Sequence, residues 1–209
     1  MRRFLIIFLI VLVSLEVSAQ NKIGISFSQN FSTFKFTNSS GSHTDLSYTI
    51  KYGYGATFQK VFADHILTEG FLAYNVKGAN STAEHELVDW SFHYFNAGAN
   101  AGYRFRFGNF YPLLGAGLYY GYLIRADQFF GETYYNLIAE GDIKRNDFGV
   151  NLFAGAEYDY SSGGSVFFRI NEALGLMQLE KSENTSQKMY NRTFSIQLGL
   201  QFVIAKTDK

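Results

Sequence analysis

The sequence predicts an all-β protein, an eight-stranded antiparallel up-and-down transmembrane β-barrel. Three observations carry the prediction. The last segment alternates strictly, with Phe194, Ile196, Leu198, Leu200 and Phe202 set against Thr193, Ser195, Gln197, Gly199 and Gln201. A period of two over that length is a strand with one apolar and one polar or small face. The same pattern recurs along the chain, separated by connections that are short and long in turn. An export signal stands ahead of it all.

That signal comprises Arg2 and Arg3, an uncharged apolar stretch over residues 4–13, and Val17, Ser18 and Ala19. Residues 1–19 are expected to be a cleaved secretory signal peptide, leaving one barrel domain over residues 20–209. The apolar run is too short for a spanning helix, and Glu16 interrupts it. No cysteine stands at the cleavage site, which excludes lipoprotein processing. A chain that enters a membrane with no apolar helix must do so as a closed barrel, since only helices and barrels satisfy their backbone polar groups in lipid.

Composition agrees. Aromatic residues make up 18% of the 209, with 20 Gly and a single Pro, which suits strands better than helices. Mean hydropathy is −0.07, as expected where lipid-facing and lumen-facing side chains alternate. The 18 Lys and Arg balance 18 Asp and Glu, so nothing favours nucleic acid as a partner. With no cysteine, packing and pairing alone must hold the exported chain together.

Eight strands follow in order. The first, residues 22–34, sets Ile23, Ile25 and Phe27 against Gly24, Ser26 and Ser28. The second, 46–61, sets Tyr48, Ile50, Tyr52, Tyr54, Ala56 and Phe58 against Thr49, Lys51, Gly53, Gly55, Thr57 and Gln59. The third, 65–78, is irregular, with Glu69 inward and Phe71 and Leu72 on opposite faces. The fourth, 87–107, sets Phe95, Ala97, Ala99, Ala101, Tyr103, Phe105 and Phe107 against Asn96, Asn100, Arg104 and Arg106. The rest are expected at 110–125, 147–160, 165–176 and 190–205, each long enough for a tilted membrane strand. Pro112 opens the fifth, where it harms the ladder least.

Connections after strands two, four and six are short, at 62–64, 108–109 and 161–164. Those after one, three, five and seven are longer and polar, at 35–45, 79–86, 126–146 and 177–189. Tight periplasmic turns and longer external loops alternate this way in an outer-membrane barrel. Two aromatic bands are expected at the lipid interfaces: Tyr48, Trp90, Phe92, Tyr120, Tyr122 and Phe194 near the long loops, and Phe58, Phe107, Phe110, Tyr111, Tyr158, Tyr160 and Phe202 near the short turns.

Strand parity places Lys51, Asn96, Asn100, Arg104, Arg106, Glu157 and Arg169 on the inner face. An eight-stranded barrel is largely filled by side chains, so these groups are expected to pair with one another. A turn centred on Gly163 would set Glu157 opposite Arg169. Glu172 shares parity with lipid-facing Phe168 and Ile170, which calls for a bulge or a displaced strand. In the external loop at 126–146, Phe129, Phe130, Tyr134 and Tyr135 either prolong strands five and six or form a contact surface.

No catalytic residue, metal site or cofactor is expected. Ser91 and His93 share a face near the external rim, but no acidic orienter or nucleophile motif flanks them. His43 with Asp45, and His85 with Glu84 and Glu86, lack the spacing of a closed metal site. Gly53, Gly55, Gly115 and Gly117 lie within strands, where they make room in a narrow interior, and cradle no phosphate.

The pieces NDFGVNLFAGAEYDY (146–160), FYPLLGAGLYYGYLIRA (110–126) and NRTFSIQLGLQF (191–202), in their order along the chain, resemble the outer membrane β-barrel domain family abundant in Bacteroidota, the porin-family or PorT-like proteins. The resemblance spans nearly the whole mature chain and implies an outer-membrane location. Its PorT-like branch implies a part in protein secretion. Outer membrane lipids, the barrel assembly machinery and an extracellular or periplasmic protein are the partners to expect. Phe202 is followed by seven more residues, unlike the chain-closing aromatic of many outer membrane proteins.

Function then divides three ways: a structural or interaction barrel acting through its external loops; a narrow porin-like channel for small solutes; or a soluble exported lipocalin-like barrel, with the faces inverted around an apolar ligand. The nearly uncharged Gly, Ser, Asn and Thr face argues against the last, because it would make a poor exposed surface.

Overall fold

The computed structural model describes residues 19–38, 40–83, 86–161, 163–181 and 188–206. The strands are β1 (Ala19–Thr37), β2 (His43–Asp45), β3 (Thr49–Phe62), β4 (Ile66–Ala83), β5 (Glu86–Arg104), β6 (Phe110–Phe130), β7 (Thr133–Asn136), β8 (Asn146–Ser161), β9 (Gly164–Gly175) and β10 (Lys188–Lys206), with one short helix, α1 (Leu137–Glu140). Eight of them pair antiparallel in the order β10, β9, β8, β6, β5, β4, β3, β1, and β1 pairs back to β10. The closing ladder runs from Gln20 opposite Lys206 to Thr37 opposite Lys188. Closure leaves no sheet edge, the condition for backbone in lipid. No described helix is long and apolar enough to cross a membrane, so any crossing is made by strands.

All eight expected strands form, with ends shifted by a few residues. The first loop is partly strand, since β2 adds to the end of β1 through Lys35 opposite Asp45. β6 runs on to Phe130 and turns back through β7. The expected signal peptide lies outside the described residues except for Ala19, the first residue of β1, and so do Glu84 and His85.

The faces are oriented as a membrane barrel requires. Ile25, Leu72, Leu118 and Leu198 are 52–62% exposed on the outside. Ser32, Thr49, Gln59, Asn96 and Gln201 are buried inside. The inverted, lipocalin-like arrangement is therefore ruled out. Phe71, the irregularity of strand three, is an inward ring lying over Gly98. A Cβ on Gly98 would come within 2.4 Å of both that ring and the Leu118 carbonyl oxygen, so only glycine fits. Gly98→Val is expected to abolish the folded, heat-modifiable band on unheated gels, whereas Gly70→Ala, with nothing within 4 Å, keeps it.

Two bands need correction. Phe92 is fully buried and Trp90 packs partly buried against the same cluster, because both share the inward parity of Tyr94 and Asn96. Tyr111 also points inward, beneath Arg104. Tyr48, Tyr120, Tyr122 and Phe194 above, and Phe58, Phe110, Tyr158, Tyr160 and Phe202 below, do face outward. Exposed Phe107 lies beyond the end of β5, in the turn.

Candidate functional site

The lumen is crossed at three levels. Nearest the short turns, Val61, Leu67, Leu113 and Phe153 form a small apolar floor. Lys22 donates to Glu157, to Asp159 at 3.0 Å and to Ser165 at 3.2 Å. The Arg104 guanidinium lies 3.7 Å from the same Glu157 and 4.0 Å over the Tyr111 ring. Arg169 donates to Glu69 at 2.8 Å, and Asn100 to the same oxygen at 3.0 Å. Gln59 joins the two groups, donating to Glu157 at 3.3 Å and accepting from Arg169 and Gln201. Charges taken this far from water persist only when paired, and Lys22, Arg104 and Arg169 each stand against a carboxylate.

Parity thus placed Asn96, Asn100, Arg104, Glu157 and Arg169 correctly, and the structure corrects three details. Glu157 stands opposite Phe167, and Arg169 opposite Gly155, so the two do not pair across β8 and β9. The tighter turn, with a register shift between Asp159 and Ser161, sets them out of step. Arg106 is not luminal. β5 ends at Arg104, and Arg106 pairs at 2.8 Å with Asp64 in the neighbouring turn, both more than half exposed. Lys51 takes no part in the luminal lattices: near the rim it pairs at 3.2 Å with Asp89, which shares the outward parity of Ser91 and His93 on β5.

Above the lower lattice lies a polar cavity of about 100 Å³, lined by Ser28, Thr57, Asn75, Asn96, Asn151, Asn171, Thr193 and Gln197 among others. That is room for roughly three waters. Lys77, Asp147, Asn191, Tyr94 and Tyr119 close it from above. Asp147 accepts from Lys77 at 3.3 Å, Tyr119 at 3.1 Å and Asn191 at 2.7 Å. The Lys77 ammonium also sits over both tyrosine rings, at 4.9 and 4.7 Å. Lys22, Glu69, Lys77 and Asp147 share the inward parity of their strands; Lys22, for one, follows Gly24, Ser26 and Ser28.

The third level is apolar and roofs the barrel. Phe34, Phe92, Leu123, Ala126 and Met189 from the strands meet Leu137, Ile143 and Leu179 from the long loops. The loop after β7 is turned inward by α1. The Asn136 side chain caps α1, accepting from the Ile138 and Ala139 amides, and Gly141 ends it at φ 87°. Above this roof, Phe34, Phe36, Leu46, Trp90, Ile143 and Met189 line a pocket of about 640 Å³, with Asp142 and Lys181 at its edge.

The β6–β7 hairpin carries the four aromatic loop residues. It prolongs β6 alone, since β8 begins at Asn146. Phe129 and Tyr134 pack with ring centroids 5.5 Å apart, while Tyr134 and Tyr135 are 47% and 40% exposed. Tyr134 donates to Asp127 at 2.9 Å, and that bond holds its phenol above the ordinary range. Phe130 pairs with Thr133 at the turn.

On the outer wall, Glu172 needs neither bulge nor displacement. Its ladder is continuous, and it faces outward beside Phe194, accepting from Arg192 at 2.8 Å. Ser91 and His93 also face outward near the rim, and β6 brings Asp127 beside them. His65 stacks on Tyr103, and no group of three His, Asp or Glu side chains able to hold a metal occurs among the described residues.

A family model described as the outer membrane protein beta-barrel domain matches residues 5–202. The outer membrane protein OprG from Pseudomonas aeruginosa is similar in fold, with a TM-score of 0.64 over 90% of this chain and 97% of that chain at 13% identity. Neisserial surface protein A has a TM-score of 0.53, covering 88% of this chain and 97% of its own, at 15% identity. No curated protein matches this chain.

Proposed function

We propose that this chain, which belongs to the outer membrane protein beta-barrel domain family, is a structural and interaction barrel that works at the cell surface through its extracellular cap. The observation that carries this reading is the filled lumen. Two charge lattices and an apolar roof stand in the way of a solute, and the space between them holds only a few waters. A narrow channel would need a water path through these groups. What the barrel offers instead is the external pocket beside Trp90 and the exposed ridge of Tyr134 and Tyr135, surfaces suited to a ligand or protein partner.

The proposal includes export by the signal peptide at residues 1–19, insertion by the barrel assembly machinery among outer membrane lipids, and, from the PorT-like resemblance within Bacteroidota, a part in protein secretion. The cysteine-free chain allows a direct test of which end faces out. Tyr135→Cys is expected to react with a membrane-impermeant maleimide on intact cells, and Gly163→Cys only after the outer membrane is opened. The opposite labelling pattern would sink the reading.

A further inference from the structure

We propose that the outer wall at the extracellular rim carries a second site, which hydrolyses acyl esters presented by outer-leaflet lipid, with Ser91 as nucleophile and His93 as general base. Both residues lie on β5, on the face that carries exposed Phe95 outward. Ser91 Oγ is 3.4 Å from His93 Nε2, and the Tyr74 hydroxyl is 2.5 Å from His93 Nδ1. With Nδ1–H donating to the Tyr74 oxygen, the Nε2 lone pair faces Ser91, the tautomer that a general base requires.

The acid beside the histidine comes from the next strand, since Asp89, two residues before Ser91, is held by Lys51 at 3.2 Å. Asp127 Oδ2 is 4.0 Å from His93 Nε2, close enough to stabilise the imidazolium that forms when Ser91 gives up its proton. Asp127 is itself fixed, accepting from Arg125 Nε at 2.5 Å and from Tyr134 at 2.9 Å. A register shift in the β5–β6 ladder is what aims it there. Tyr94 pairs with Leu123 but His93 pairs with Arg125, so Ile124 is an extra residue in β6. Beyond it, Asp127 stands opposite Ser91. Without the bulge Ala126 would occupy that place and Asp127 would turn into the lumen. Bulges re-aim side chains in this way beside active sites.

The surroundings fit an ester at the edge of a lipid leaflet. Phe95 and Leu72, more than half exposed on the same wall, offer apolar surface to acyl chains, and the 59% exposed Arg125 side chain stands opposite His93 at headgroup level. Ser91 Oγ attacks the ester carbonyl carbon as His93 takes its proton. The carbonyl–oxygen bond to the alcohol breaks, and that oxygen receives the proton from His93. Water then attacks the acyl-Ser91, releasing the fatty acid and restoring the hydroxyl.

The test uses the full folded chain, each variant first shown to keep its heat-modifiable band. A fluorophosphonate is expected to label Ser91 in the wild type and nothing in Ser91→Ala. Free fatty acid is followed by mass spectrometry in vesicles of phosphatidylethanolamine and, separately, of lipopolysaccharide. Release in either arm supports the site and identifies the lipid. Ser91→Ala and His93→Ala are expected to lose about 100-fold or more of that rate. Asp127, a positioning residue, is expected to cost about tenfold as Asp127→Asn, with most of the rate restored in Asp127→Glu. The proposal is overturned if neither vesicle yields fatty acid, or if Ser91→Ala releases it as fast as the wild type.

Discussion

Glu157→Ala is expected to destabilise the folded barrel by about 3–5 kcal/mol, the loss typical when one partner of a buried ion pair is removed. Glu157 is fully buried and serves two cations, Lys22 and Arg104, each no more than 2% exposed. Its removal leaves both charges inside the barrel with a single remaining carboxylate nearby, Asp159, which reaches only Lys22. Glu157→Gln, nearly the same in shape, is expected to lose almost as much, because charge and not volume holds the lattice. Urea unfolding of the vesicle-embedded protein, followed by the fluorescence of its only tryptophan, Trp90, and by the unheated gel band, measures the change. A loss below about 1 kcal/mol would place Glu157 in solvent-like surroundings.

Phe92→Ala is expected to cost about 3–5 kcal/mol as well, the range for truncating a buried aromatic. Phe92 is fully buried in the roof, its ring centroid 5.0 Å from that of Phe34. Phe95→Ala, three residues away but 52% exposed on the outer face, is expected to cost clearly less. The same urea series separates the two positions. Equal losses would return Phe92 to the lipid-facing band where its place beside the long loop first suggests it belongs. Phe92→Ala is also expected to loosen the roof beneath the external pocket, which a shift in Trp90 emission would report.

Strand faces were legible because a side chain's parity is a local property. Asn96, Asn100, Arg104, Glu157 and Arg169 can be assigned to the inside from one strand at a time, and the same rule reaches Lys22, Lys77 and Asp147. What parity cannot supply is the offset between strands. The tight turn after β8 moved Glu157 away from Arg169 and left it to Lys22, a residue 135 positions earlier that reaches it only across the closed ring. The extra residue at Ile124 likewise turned Asp127 outward, against its expected parity. Arg106 shows a different limit, since its alternation continues past the last ladder pair into a turn where inside no longer has meaning. The roof depends on loops folding back: Leu137 sits in a one-turn helix, and Ile143 and Leu179 in irregular stretches, all too short to show a period. Glu172 looks like a lone carboxylate within its own strand because its partner, Arg192, lies on the neighbouring one.

The measurement that bears most directly on the barrel's role is conductance of the purified, heat-modifiable protein in planar lipid bilayers. Lattices at Glu157 and Asp147 with a roof above them predict no conductance steps beyond those of the lipid alone. Reproducible steps from the wild-type chain, abolished on unfolding, would contradict a filled lumen and make the barrel a channel.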